Sequence, residues 1–124
     1  MRPHERLEVW QTAVDFVVSI YRETEHFPKE ERYGLTSQIR RAAVSIAANI
    51  AEGAGRDSSK EFAYFLSNAQ GSASELATEL VIAHRLSFLS IEAYSNLNAT
   101  LDGIGRMIVG LSRHVRTKVT AAQA

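Results

Sequence analysis

Few side chains in this sequence stand at spacings that chemistry could use. Glu23 and His26 form a Glu-x-x-His pair, the unit that di-iron bundles place on two of their helices together with two further inward glutamates. The second unit is missing, because His84 stands three residues after Val81 and His114 three after Leu111. A satisfied surface histidine is the plainer reading of His26. Serine, histidine and aspartate all occur, but no G-x-S-x-G or comparable local arrangement joins them into a triad. Gly53-Ala54-Gly55-Arg56 has the glycines of a phosphate loop without its lysine-Ser/Thr ending or the preceding strand, so the end of a helix suits it better. The chain has no cysteine, which removes disulfides, thiolate metal sites and a cysteine nucleophile together, and fits a reducing compartment. The residues predict no enzyme, no metal and no cofactor.

Charge placement says more than charge balance. Among 124 residues, 14 basic side chains meet 14 acidic ones, which argues against a uniformly basic coat for nucleic acid. Local patches remain. No acidic side chain follows Asp102, whereas Arg106, Arg113, Arg116 and Lys118 accumulate there with His114 beside them. Arg40, Arg41, Arg56 and Lys60 form a second group. Cations near a helix C-terminus simply favour its dipole, and that is the plainer reading of the tail. Oligomerisation would multiply each patch, however, and a ring of them could hold a phosphate backbone. The candidate contacts to RNA or DNA are Arg40, Arg56, Lys60, Arg113, Arg116 and Lys118.

Four amphipathic helices must position these residues. Leu7, Trp10, Val14, Val17 and Tyr21 keep a 3-4-3-4 spacing that ends at Phe27-Pro28. Leu35, Ile39, Ala42, Ile46 and Ile50 form a second face, closed at Gly53–Gly55 by a left-handed glycine. Ser58-x-x-Glu61 is a capping box before Phe62, Phe65, Ala69, Ala73, Leu76, Leu80 and Ala83. Ser90 caps a fourth helix along Ile91, Tyr94, Leu101, Ile104, Ile108, Leu111 and Val115. Short connections predict an all-α, antiparallel up-down-up-down bundle, left-handed because the repeat is near 3.5 residues. One domain over 1–119 is expected, with a disordered tail at 120–124. The longest apolar run, Ala42 to Ile50, is interrupted by Ser45 and Asn49 and falls far short of the ~20 residues that span a membrane. No targeting segment is legible, so the expected location is cytoplasmic and no membrane partner is expected.

Two surpluses point outward. The first helix has a further stripe of Val9, Ala13, Phe16 and Ile20, about a quarter turn from the Leu7–Tyr21 row, so its apolar arc covers nearly half the circumference. Either a broad core takes both stripes, or Val9, Phe16 and Ile20 meet another subunit. The second helix has a polar row beside its apolar one, Gln38, Arg41, Ser45, Asn49 and Glu52, answered on the third by Asn68, Ser72, Glu75 and Glu79. An ordinary solvated face explains such a row. A register-fixing network at a subunit junction, organised by Gln38, Arg41, Asn49, Glu52 and Glu75, is the sharper alternative. Gly71, inside the third helix, predicts a close backbone approach.

Trp10, Phe27-Pro28, Glu31, Gly34-Leu35-Thr36, Gln38, Arg40-Arg41-Ala42, Ser45-Ile46, Asn49-Ile50-Ala51-Glu52-Gly53, Arg56, Phe65-Leu66, Gly71-Ser72 and Glu75-Leu76 together carry a resemblance. In that register, from about Leu7 to Leu111, the chain resembles the small bacterial four-helix bundle proteins also called ribosomal-RNA intervening-sequence proteins, the S-twenty-three family. The resemblance implies a homopentameric ring of bundles with no catalytic residues. It also extends to accessory variability determinants of diversity-generating retroelements, which associate with a reverse transcriptase and nucleic acid. The expected function is therefore a non-enzymatic, homo-oligomeric scaffold or adaptor whose partners are copies of itself and RNA, DNA or a nucleic-acid enzyme. The alternative is a bundle that binds a small ligand or a protein, with no nucleic-acid role. Two positions depart from the family pattern, Ala47 for a proline and Gln70 for an arginine. The second weakens any expectation of RNA binding at Gln70.

Overall fold

Helix boundaries fall where the polar punctuation of the chain puts them. The structure, a computed structural model, describes residues 1–123, with side chains to residue 120. Four helices carry it: α1 (Glu8–Thr24), α2 (Leu35–Ala54), α3 (Ser59–Arg85) and α4 (Ile91–Gln123). Short 3-10 turns at Pro3–Arg6 and Lys29–Glu31 complete it, with no strand among the described residues. Ser58 Oγ accepts the Glu61 N–H at 3.1 Å, and Ser90 Oγ accepts that of Ala93 at 3.1 Å. Each cap contributes about 1 kcal/mol to its helix. The Glu31 carboxylate does the same for α2, accepting the Leu35 N–H at 3.1 Å. The helical backbone of α4 continues past residue 119, the boundary expected for the domain, to Gln123; the end of the expected tail, residue 124, lies outside the described residues.

Each helix packs on its neighbours in sequence, and α4 returns to α1. Ser45 meets Ser72 across α2 and α3, while Gly53 meets Phe62 and Phe65 nearer the turn, so these helices run antiparallel. Phe27 and Phe88, from the α1–α2 and α3–α4 connections, stand 5.5 Å apart by ring centroids and place both connections at one end. The contacts fit the expected up-down-up-down order. Ile39, Ile46 and Ile50 of α2, Leu66, Leu76 and Leu80 of α3, and Ile104 and Ile108 of α4 are fully enclosed.

The face that α1 adds to this core corrects one expectation. Val9, Ala13, Phe16 and Ile20 are buried, at most 5% exposed, whereas Trp10, Val14 and Val17 are only partly covered and Tyr21 is 43% exposed. Val9, Phe16 and Ile20 therefore fill the chain's own interior and cannot be its exposed interface. The surplus stripe is the other one. A second expectation fails at the glycines. None takes a positive φ; among the described residues Ser87, in the α3–α4 connection, is the residue that does, at 65°. The close approach is at Gly53, where a Cβ would come within 2.8 Å of Phe65 Cβ, and not at Gly71, which meets nothing within 4 Å.

Candidate functional site

The uncovered stripe of α1 continues onto α2. Val18 is 45% exposed and Val44 of α2 43%. Val44 stands one turn beyond Arg40, whose Nη2 donates to the Tyr21 carbonyl at 3.3 Å, so the two helices present their apolar residues on one surface. Trp10, Val14, Val17 and Val18 with Val44 and Ala48 make this face. Asp15, exposed, lies one turn before Val18.

A trough of about 720 Å³ runs between α3 and α4. Ala73, Ala77, Leu101, Gly105, Val109 and Gly110 give it an apolar lining, with Gln70, Ser74, Asp102, Arg106 and Arg113 as its polar members. A Cβ at Gly105 or Gly110 would meet nothing within 4 Å, so the glycines leave the trough wide rather than closing it on a neighbouring helix. The cyclic order of packing sets α3–α4 across the bundle from α1–α2. The molecule thus has apolar surface on two opposite faces.

The six basic candidates divide between the ends. By helix rise, Lys60 on α3 and Arg113, Arg116 and Lys118 on α4 all lie roughly 30–40 Å from the α3–α4 connection, at the end that holds Arg56. Arg40 lies near the other end, beside the α1–α2 connection. Arg56 is already engaged, its Nη2 on Glu52 Oε1 at 2.6 Å and its guanidinium 4.8 Å from the Phe65 ring centroid. Lys60, Arg113, Arg116 and Lys118 are exposed and form no ion pair among the described residues.

The polar seam between α2 and α3 is smaller than its sequence suggests. Ser45 Oγ and Ser72 Oγ share a hydrogen bond of 2.8 Å, and Asn49 Nδ2 donates to the Ser45 carbonyl at 2.8 Å and to its Oγ at 3.0 Å. Of the five residues expected to organise a network, Asn49 joins this seam. Glu52 turns to Arg56, Gln38 and Arg41 are exposed, and Glu75 lies beside Glu79 on α3. Glu79 is 5% exposed and its Oε1 has no hydrogen-bond partner. Burial, with repulsion and a hydrogen bond from Glu75 as lesser causes, raises its pKa to about 7. Among the described residues no three His, Asp or Glu side chains gather as a metal ion would require, and no helix is long and apolar enough to cross a membrane.

Reading the sequence alone missed a cluster at the α1–α2 end. Tyr21, Arg32, Tyr33, Thr36, Ser37, Arg40 and Arg41 line a cleft of about 350 Å³. Its sequence signal is Arg32-Tyr33 followed by Arg40-Arg41, while Tyr21 falls on the expected apolar row of α1. No curated protein matches the chain. A solved structure from Bacteroides thetaiotaomicron, described as a protein with unknown function from the S23 ribosomal protein family, is similar with a TM-score of 0.78. Its identity is 24%, over 85% of this chain and 95% of that one, which establishes the fold. Over residues 5–110 the sequence matches the family model described as 23S rRNA-intervening sequence protein, and the chain belongs to that family.

Proposed function

We propose that the protein is a non-enzymatic, cytoplasmic scaffold that assembles with copies of itself into a closed ring, expected as a pentamer, and presents basic surface to nucleic acid or to an enzyme that works on it. The observation that carries the assembly is the pair of apolar surfaces on opposite faces. A ridge on α1–α2 that docks into the α3–α4 trough of the next copy makes a heterologous contact, and such contacts close into rings when the rotation permits. Net charge agrees, since Asp15 borders the ridge while Arg106 and Arg113 outnumber Asp102 at the trough. The trough is open along one side, whereas small-molecule sites enclose most of their ligand, so a helix suits it better than a metabolite.

Nucleic acid enters through symmetry. Each copy brings Lys60, Arg113, Arg116 and Lys118 to one end, with no ion pair among the described residues, and a ring repeats that group around its axis. The family's description as 23S rRNA-intervening sequence protein links it to ribosomal RNA by name. Native mass measurement at micromolar concentration tests the assembly: a multiple of the subunit mass, five expected, supports it and a clean monomer overturns it. A salt titration of RNA binding tests the second part, which fails if nothing binds at low salt.

A further inference from the structure

We infer that the cleft at the α1–α2 end binds single-stranded nucleic acid, with a backbone phosphate on Arg32, Arg40 and Arg41 and an unpaired base stacked on Tyr33. This deepens, and rests on, the reading that the basic surface of the protein meets nucleic acid. Arg40 is held in advance. Its Nε donates to Thr24 Oγ1 at 2.9 Å, its Nη2 to the Tyr21 carbonyl at 3.3 Å, and its guanidinium lies 4.4 Å from the Tyr21 ring centroid. Thr24 is itself buried and donates to the Ile20 carbonyl at 2.7 Å, so the anchor is fixed to α1. Arg32 stands 5.5 Å from the Tyr33 ring centroid.

The charge of this cluster favours an anion. Arg40 and Arg41 lie in the second turn of α2, beyond the Glu31 carboxylate that caps its N-terminus. Cations gathered this closely repel one another. No carboxylate lines the cleft, and none of the three arginines forms an ion pair among the described residues. Thr36, 7% exposed, stands in the same wall, and its buried Oγ1 has no hydrogen-bond partner.

Tyr33 selects among anions. It is 88% exposed and, apart from the neighbouring Arg32 guanidinium, stands clear of the core. A ring standing free beside a cationic cleft is the arrangement that seats a base while the backbone runs through the positive groove. Paired bases keep their faces inside the stack, which favours a single strand over a duplex.

Fluorescence anisotropy with a labelled oligouridine at low salt tests this on the full chain. Tyr33→Ala is expected to weaken binding about tenfold, while Tyr33→Phe keeps it. Arg32→Glu with Arg41→Glu is expected to remove most of the binding and flatten its salt dependence. Arg2→Glu with Arg6→Glu, at exposed residues outside both basic groups, should leave single-strand affinity within a few-fold. Unchanged affinity in Tyr33→Ala overturns the inference, as does a matched duplex binding as tightly as the single strand. Displacement of the strand by uridine monophosphate at the strand's own concentration overturns it too, since the cleft would then be a mononucleotide site. If binding disappears in Lys60→Glu with Arg116→Glu but survives the cleft variants, the inference fails and nucleic-acid binding stands. If the unmodified protein binds no RNA, both fail, and native mass still judges the ring alone.

Discussion

The two apolar stripes of α1 are nearly matched in sequence and opposite in fate. Val9, Ala13, Phe16 and Ile20 are sealed inside, while Trp10, Val14, Val17 and Tyr21 remain half covered, with Val18 beyond them. The sealed stripe lies toward α4, where Phe16 and Leu97 border one cleft. The uncovered one lies toward α2, where Arg40 reaches Tyr21. The width of an apolar arc reports that a helix has more to bury than one bundle takes. Which half is buried is decided by the neighbouring helices, and the half left over is the part of the fold that a partner must complete.

Substitutions on the two sides should separate stability from assembly. Phe16→Ala is expected to cost about 3–5 kcal/mol of folding stability, read by denaturant unfolding; a loss below about 1 kcal/mol would place Phe16 on the outside after all. Glu79 tests the polar intrusion into the same interior. Its pKa is raised from 4.5 to about 7 on folding, so its contribution is fully present below pH 4.5 and declines as pH rises toward 7. Glu79→Gln should remove that slope and leave the variant more stable by about 1–3 kcal/mol at pH 8. Parallel unfolding curves of variant and parent from pH 5 to 8 would contradict the burial.

Smaller effects follow at the glycines and on the uncovered face. Gly53→Ala forces a contact with Phe65 and is expected to destabilise by about 1–3 kcal/mol. Gly71→Ala, with open space around it, should stabilise α3 by about 0.5–1 kcal/mol. Equal thermal shifts at the two positions would refute the difference in packing. Val18→Arg is expected to change the stability of an isolated subunit by no more than about 0.5 kcal/mol and yet to reduce its native mass.

Much of the fold was legible because helix periodicity and caps are local signals. Ser58, in its capping box with Glu61, and Ser90 cap α3 and α4 as expected, and Phe27-Pro28 follows the end of α1. The choice between the two stripes of α1 was not legible, because it depends on where α2 and α4 sit around it. The same limit applies to the polar seam. Ser45, Asn49 and Ser72 share a seam, but the i,i+4 pairing of Glu52 with Arg56 took both away from their expected roles. The Arg–Tyr cleft was hidden for a related reason: Arg32-Tyr33 precedes α2 and Tyr21 belongs to α1, and the turn between the helices brings them together.

Mixing two assembly-deficient variants tests the central claim most directly. Val18→Arg spoils the ridge, and Val109→Arg, at a residue of the opposite trough, spoils the groove. If unlike surfaces pair, each variant alone is a monomer by native mass measurement, and the equimolar mixture gives a dimer containing one of each through the single intact contact. Either variant assembling on its own, or a mixture that stays monomeric, would contradict the pairing of ridge and trough.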